Sequence, residues 1–351
     1  MKTLLSLFCL VTYLTCALSA NGWPFSLDMA CNKALSAVAC SFEFTNNANE
    51  DLYLLKRNTP LEGLRSQFVS VSLDGRPLKY EGMYVRRLPP TKKNFVLLEA
   101  GESISAKVQI TDIFSIDTDG LYTVQYSRPL QYLSVNEMSA MSTGKLRELF
   151  VHESVQLYLE DTSVLLKPKK EEIKIDYTVH IQLCSDASFS NGDNQNNETL
   201  AAHKKLCSGI SRAGAKVGYN IAISTTWFGE YDIGRTTIAQ TAYIDIKDEL
   251  GTTDVTYYND APDCDDGDYA YILSTFKDTV FLCDEYYSSQ TSCSTTGESK
   301  EGTLIHEWSH LFADTDDTAY GRSDCKELAE NSPASAVKNA DNYCYHYCDA
   351  Q

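Results

Sequence analysis

Two histidines four residues apart, His306 and His310, lie inside the stretch GTLIHEWSHLFADTDDTAYG, which runs from Gly302 to Gly321. They constrain the folding of their surroundings more than any other feature of the chain. For both imidazoles to reach one ion the segment has to be an α-helix, because residues i and i+4 lie about one turn apart on the same face. Glu307 is offset by one residue and points beside the place where the rings meet. The competing reading is a surface helix whose two histidines are satisfied separately. Five residues do not decide between the two, so the flanks and the rest of the chain have to.

At 351 residues the natural expectation is two domains. The opening MKTLLSLFCLVTYLTCALSA combines Lys2, an apolar run from Leu4 to Leu14 and the small-residue region Ala17-Leu18-Ser19. That is the pattern of a signal peptide over residues 1–20, so export is expected. No later stretch reaches the ~18 apolar residues that span a bilayer, and no membrane partner is expected. Of the 12 cysteines, Cys9 and Cys16 fall in the leader. The even number left in an exported chain reads as disulfides, with Cys31 and Cys40, alone in the first half, paired to each other. No CxxC pair occurs, which argues against a cysteine-based zinc site. Asn197-Glu198-Thr199 is a glycosylation sequon.

Charge divides the chain. From Asp176 onward there are 11 Lys plus Arg against 29 Asp plus Glu, whereas the preceding part carries 19 of each. Nucleic acid, which calls for a basic surface, is not expected as a partner. An acidic second half can draw in basic substrates, or it can simply keep an exported protein soluble.

The first half reads as short strands. SVSLDGRPLKY alternates around Asp74-Gly75, a hairpin signal, and the runs 103–110, 121–126 and 154–160 also alternate. Residues 21–164 are therefore expected to form an antiparallel β-sandwich, with His152 a surface residue. LLKPKKEEIKID, 165–176, reads as an interdomain linker and a candidate processing site. Beyond it the pattern changes. Helical spacing runs from Glu198 to Ala222, a second helix is expected around Arg235 to Leu250, and Asp268 to Cys283 reads as two strands and a turn. This order implies an α+β domain over 177–351.

His-Glu-x-x-His is the arrangement in which two histidines bind zinc and the glutamate serves as general base. A third ligand is needed. The pattern HExxHxxGxxH is absent, since Ala313 and Asp316 stand at its glycine and last histidine. Glu330 follows His310 by 20 residues but lacks the flanking residues that would mark it as a ligand. Asp314, Asp316 and Asp317 remain, each close enough for a turn to return it to the ion.

The segment GTLIHEWSH followed by DTDDTAYG resembles the deuterolysin and peptidyl-Lys metalloendopeptidase family, the aspzincins, whose third ligand is an aspartate. The family's segment reads roughly G-T-x-D-x-x-Y-G. Matched on Thr315, Asp317, Tyr320 and Gly321, it implies Asp317 as ligand, with Asp316 the alternative because Asp314 replaces the usual glycine and the loop is about two residues shorter than in fungal members. TTWFGEY (Thr225 to Tyr231), the tyrosine-rich strands ending at Cys283 and NADNYCY (Asn339 to Tyr345) are similar too, in the same order. The resemblance implies a zincin-like α+β catalytic domain preceded by the β-sandwich, a Cys264–Cys283 bridge, and a first half that serves as pro-domain or accessory domain. The implied activity is a secreted, monomeric zinc endopeptidase with one Zn²⁺ per chain. Glu307 would activate water, and Tyr320 would stabilise the oxyanion. It also implies that Asp341 receives a basic residue, Lys, just after the cleaved bond, so that Lys-rich proteins or peptides would be substrates; Cys344 stands where Lys-specific members carry a second carboxylate. The rival reading is a secreted binding or toxin-like protein with an inert zincin domain.

Overall fold

The computed structural model describes residues 22–139, 146–168, 184–192, 195–218 and 221–351. The expected leader and residues 169–176 of the expected linker lie outside the described residues. Among those described, no helix is long and apolar enough to cross a membrane.

The protein is a mixed α/β molecule with several antiparallel sheets. Its first half supplies β1 (Phe25–Ala34), β2 (Ala37–Asn46), β3 (Leu52–Leu55), β4 (Val69–Leu73), β5 (Arg76–Pro77), β6 (Met83–Arg87), β7 (Phe95–Leu98), β8 (Ser103–Gln109), β9 (Gly120–Tyr126), β10 (Leu130–Ser134), β11 (Arg147–Leu149) and β12 (Ser154–Leu159). All but β6 group into three antiparallel sheets, ordered β1-β2-β8, β11-β10-β3-β7 and β12-β9-β4-β5. Alternation drives the packing. In β9, Tyr122, Val124 and Tyr126 turn inward and meet Phe42, Phe44 and Phe68 in one apolar core. The β4–β5 hairpin closes through Asp74 at φ 49° and Gly75 at φ 78°, the two positive dihedrals such a tight turn requires. His152 is exposed.

The second half adds β13 (Ser188–Ser190), β14 (Thr256–Tyr258), β15 (Asp268–Leu273) and β16 (Thr279–Leu282), with helices α1 (Asn196–Ala215), α2 (Ala222–Phe228), α3 (Ile233–Thr252), α4 (Lys300–Ala313), α5 (Gly321–Asn331) and α6 (Ala340–Asp349). The helical run from Glu198 divides into α1 and α2 rather than reaching Ala222 unbroken. α1 stops at Ala215, short of Gly218, where a Cβ-less residue weakens helix. Leu206, Ile210, Tyr243, Ile246, Leu304 and Trp308 are among the side chains of a second core beneath the sheet.

That sheet runs β13-β14-β16-β15-β6. Its outermost strand therefore comes from the first half: β6 pairs antiparallel with β15, Val85 opposite Tyr271 and Arg86 opposite Ala270. Tyr84, on β6, packs against both cores. Local alternation cannot announce a pairing between strands so far apart in the chain.

Among the described residues there are four disulfides: Cys31–Cys40, Cys184–Cys207, Cys264–Cys283 and Cys293–Cys348. The even count does not translate into complete pairing, because Cys325 and Cys344 are buried and free. Cys344 faces the Arg86 guanidinium and Cys325 faces the Asn339 amide.

Candidate metal centre and substrate cleft

Helix α4 begins where Ser299 Oγ accepts a hydrogen bond from the Gly302 amide, and every residue from Lys300 to His310 is buried. Leu304, Ile305 and Trp308 face the core, and Trp308 Nε1 donates to Tyr257 Oη at 3.1 Å. The helix ends at Asp314, which adopts the left-handed conformation (φ 51°) while its amide donates to Ser309 O. Thr315 then hydrogen-bonds the Ser309 hydroxyl at 2.7 Å, and the chain doubles back across the helix end.

This reversal places the three aspartates differently. Asp316 is held through its backbone, its amide donating to Lys338 O at 2.6 Å and the residue bridging to Asn339. Asp314 is exposed. Asp317 alone presents its carboxylate to the imidazoles, with Oδ1 3.2 Å from His306 Nε2 and 3.3 Å from His310 Nε2. The two Nε2 atoms are 3.1 Å apart. Donors about 2.0–2.1 Å from a tetrahedral zinc stand about 3.3 Å from one another, so this triangle fits such an ion.

The outer ring nitrogens explain why the inner ones are free to coordinate. His306 Nδ1 lies 2.8 Å from Asp341 Oδ1, and His310 Nδ1 lies 2.7 Å from Thr315 O. Both partners are acceptors, so each Nδ1 carries a proton and it is Nε2 of each ring that faces inward. Asp317 Oδ1 and both Glu307 carboxylate oxygens are buried without a hydrogen-bond partner. Uncompensated oxygens of this kind are costly unless a cation or water completes them.

The electrostatics tell the same story. Burial pushes the Glu307 carboxyl up to about 7, against the opposing pull of His306 and His310. Burial would depress His306, but Asp317 and Asp341 outweigh it and raise that imidazole to about 9. Despite burial, the two imidazoles hold Asp317 well below the usual carboxylate range. The site is short of positive charge, which a divalent cation would supply.

Tyr320 and Asp341 complete the set of residues expected from sequence, and both touch β6. Tyr320 Oη donates to Val85 O at 3.2 Å. Asp341, in the first turn of α6, shares Oδ1 between His306 Nδ1 and Arg86 Nε (3.0 Å), while Oδ2 accepts from the Gly321 amide at 2.9 Å. Expected only as a carboxylate for substrate, it also orients an imidazole. Glu330 is exposed on α5. Sequence reasoning missed Tyr84, whose ring stacks on His310 at 4.7 Å, and Arg86, Glu298 and Thr303, which meet beside Asp341. None lies in a local pattern that would have singled it out.

A family model described as lysine-specific metallo-endopeptidase matches residues 214–348. An extracellular protease from Aeromonas hydrophila is 28% identical over 322 residues, covering 88% of this chain and 87% of its own length. A peptidyl-Lys metalloendopeptidase from Armillaria mellea is 26% identical over 334 residues, covering 86% and 84%. Another peptidyl-Lys metalloendopeptidase, from Pleurotus ostreatus, is 32% identical over 123 residues, which span 34% of this chain and 70% of that protein.

Proposed function

The chain belongs to the aspzincin family of zinc metallo-endopeptidases, and on that premise we propose that it is a secreted enzyme that hydrolyses peptide bonds through Glu307-assisted attack of water. The observation that carries this reading is the buried triangle of His306, His310 and Asp317 beside an unpartnered Glu307. His306, His310 and Asp317 would hold the zinc ion, one per chain. When bound, the ion supplies Lewis-acid polarisation of the scissile carbonyl and makes water ionisable near neutral pH.

The chain's own groups do the rest. Glu307, raised to about 7 by burial, is suited to take a proton from the attacking water and return it to the leaving amine. Tyr320 Oη donates to the carbonyl oxygen as negative charge develops on it. Asp341 keeps His306 in the coordinating tautomer and pairs with a basic side chain, Lys, just after the cleaved bond. That Asp341 already pairs with Arg86 supports a basic preference.

We read the first half as a pro-domain. β6 covers the outer edge of β15 and brings Arg86 to Asp341, so an extended substrate and β6 compete for one place. Processing within 165–176 would let β6 leave. N-terminal sequencing of the secreted form tests this, since a start inside 165–176 is expected and a start near residue 20 alone would contradict it. The catalytic reading is tested by peptide cleavage with a chelator, zinc add-back and the Glu307→Ala variant. Zinc-dependent cuts that vanish in the variant are expected.

A further inference from the structure

We infer that the pocket beside Asp341 admits arginine as well as lysine after the cleaved bond, and that Glu298 is the specificity-determining residue that reads the guanidinium. The inference rests on the peptidase reading above and deepens it.

β6 lies on β15 as an added antiparallel strand, which is how extended peptides bind a sheet edge. Its register is that of a substrate. The Val85 carbonyl accepts from Tyr320 Oη, the hydroxyl assigned to the reacting carbonyl, and the preceding ring, Tyr84, stacks on His310. The Val85–Arg86 peptide therefore lies where a bond to be cut would lie. Arg86 occupies the place of the residue after it.

The pocket matches the fork of that side chain, which is only 2% exposed. Arg86 Nε donates to Asp341 Oδ1 at 3.0 Å, Nη1 to Thr303 Oγ1 at 2.8 Å and Nη2 to Glu298 Oε2 at 2.6 Å. The Tyr269 ring lies 5.0 Å from the guanidinium carbon. Glu298 is itself held, its Oε1 accepting from Tyr345 Oη at 2.9 Å. Asp341 and Glu298 thus meet the guanidinium at two different nitrogens. A lysine at the same backbone position places its ammonium nitrogen where arginine has Cζ, one atom short of the Nη2 that Glu298 engages. It is a compact charge with no fork. Asp341 serves both side chains; Glu298 serves arginine.

The test uses the full chain after limited proteolysis between Lys169 and Asp176, with paired peptides that differ only in Arg or Lys after the bond. Both should be cut. Glu298→Gln should lower kcat/KM for the Arg peptide about ten- to a hundredfold, the cost of a lost charge-assisted hydrogen bond, and the Lys peptide much less. Glu298→Asp, with its charge withdrawn by one methylene, should fall between. An uncut Arg peptide beside a cut Lys peptide, or equal losses in Glu298→Gln, overturns the inference. Cleavage of neither peptide, with Glu307→Ala no different, overturns the peptidase reading instead.

A second measurement needs no turnover. In the uncut Arg86→Ala chain, kept metal-free with chelator, millimolar propylguanidinium should raise the thermal midpoint more than butylammonium does. Adding Glu298→Gln to that chain should abolish the difference. Equal shifts from the two compounds in Arg86→Ala would refute guanidinium reading by the pocket.

Discussion

At Asp317 a buried carboxylate oxygen faces two imidazole nitrogens yet makes no hydrogen bond, an arrangement that stabilises the fold only when a cation joins it. Asp317→Asn should therefore weaken zinc binding by more than the ~10–100-fold typical of losing an outer-shell partner. Asp316→Asn should leave binding unchanged. Competition against a chromogenic chelator measures both, and a larger loss from Asp316→Asn would reassign the ligand. Tyr320→Phe keeps the ring but removes the hydroxyl proposed to donate to the carbonyl oxygen. In the processed chain it should lower kcat about 10²–10³-fold with little change in KM; an effect confined to KM would make Tyr320 a binding residue only. His306, Glu307 and His310 were legible in the sequence as a group because one helical turn brings them together; the short turn allowed Asp314, Asp316 or Asp317, and only the family resemblance pointed to Asp317. Arg86, Glu298 and Thr303 were not, because Arg86 meets its two partners across 212 and 217 residues.

Helix α4 and strand β6 are the elements that meet at the site, through Arg86 and Thr303 and through Tyr84 and His310. α4 can be buried along its length because its apolar face enters the core while its polar face is spent on the site. The residue that caps its C-terminus, Asp314, stands where the family usually has glycine, and φ 51° explains that preference: a residue with a Cβ is strained there. Asp314→Gly should raise stability by up to ~1 kcal/mol, read as an increased denaturant midpoint; a decrease would show that the aspartate side chain contributes more than its backbone strain costs. β6 was legible as extended chain but not as part of the second half's sheet, since strand alternation says which face is buried and not which distant edge is paired. Its hold depends on Arg86, buried against Asp341 and Glu298. Arg86→Ala should loosen β6 and raise turnover of the uncut chain, whereas unchanged latency would mean that β6 does not block the cleft.

The molecule joins two apolar cores through β6 and Tyr84, and its acidic second half holds the disulfides Cys184–Cys207, Cys264–Cys283 and Cys293–Cys348. Among that half's buried groups are two histidines outside the cluster of His306, Glu307 and His310. Burial lowers His346, beside Tyr243, to about 3, and His203, beside Tyr257, to about 4. Both are neutral when folded but titrate near 6.5 when unfolded. As pH falls below 6.5 the unfolded chain takes up protons that the folded chain refuses, so stability drops, by up to about 1.4 kcal/mol per pH unit for each histidine. His346→Phe should reduce that slope by one proton's worth between pH 6 and 4, as read from denaturation midpoints; an unaltered slope would mean that His346 is already protonated in the fold. The division into a strand-rich half and a helical, acidic half was legible from alternation, helical spacing and charge. The two unpaired cysteines were not, because an even count says nothing of which sulfurs meet. The central claim is that His306, His310 and Asp317 hold a zinc ion against which Glu307 works as base. Its most direct test is the peptide-cleavage rate of the chain processed within 165–176, mapped by mass spectrometry, for the parent protein and Glu307→Ala loaded with equal zinc. The account predicts cuts before basic residues that are lost in Glu307→Ala while zinc content stays the same. Equal cleavage by both proteins would contradict it.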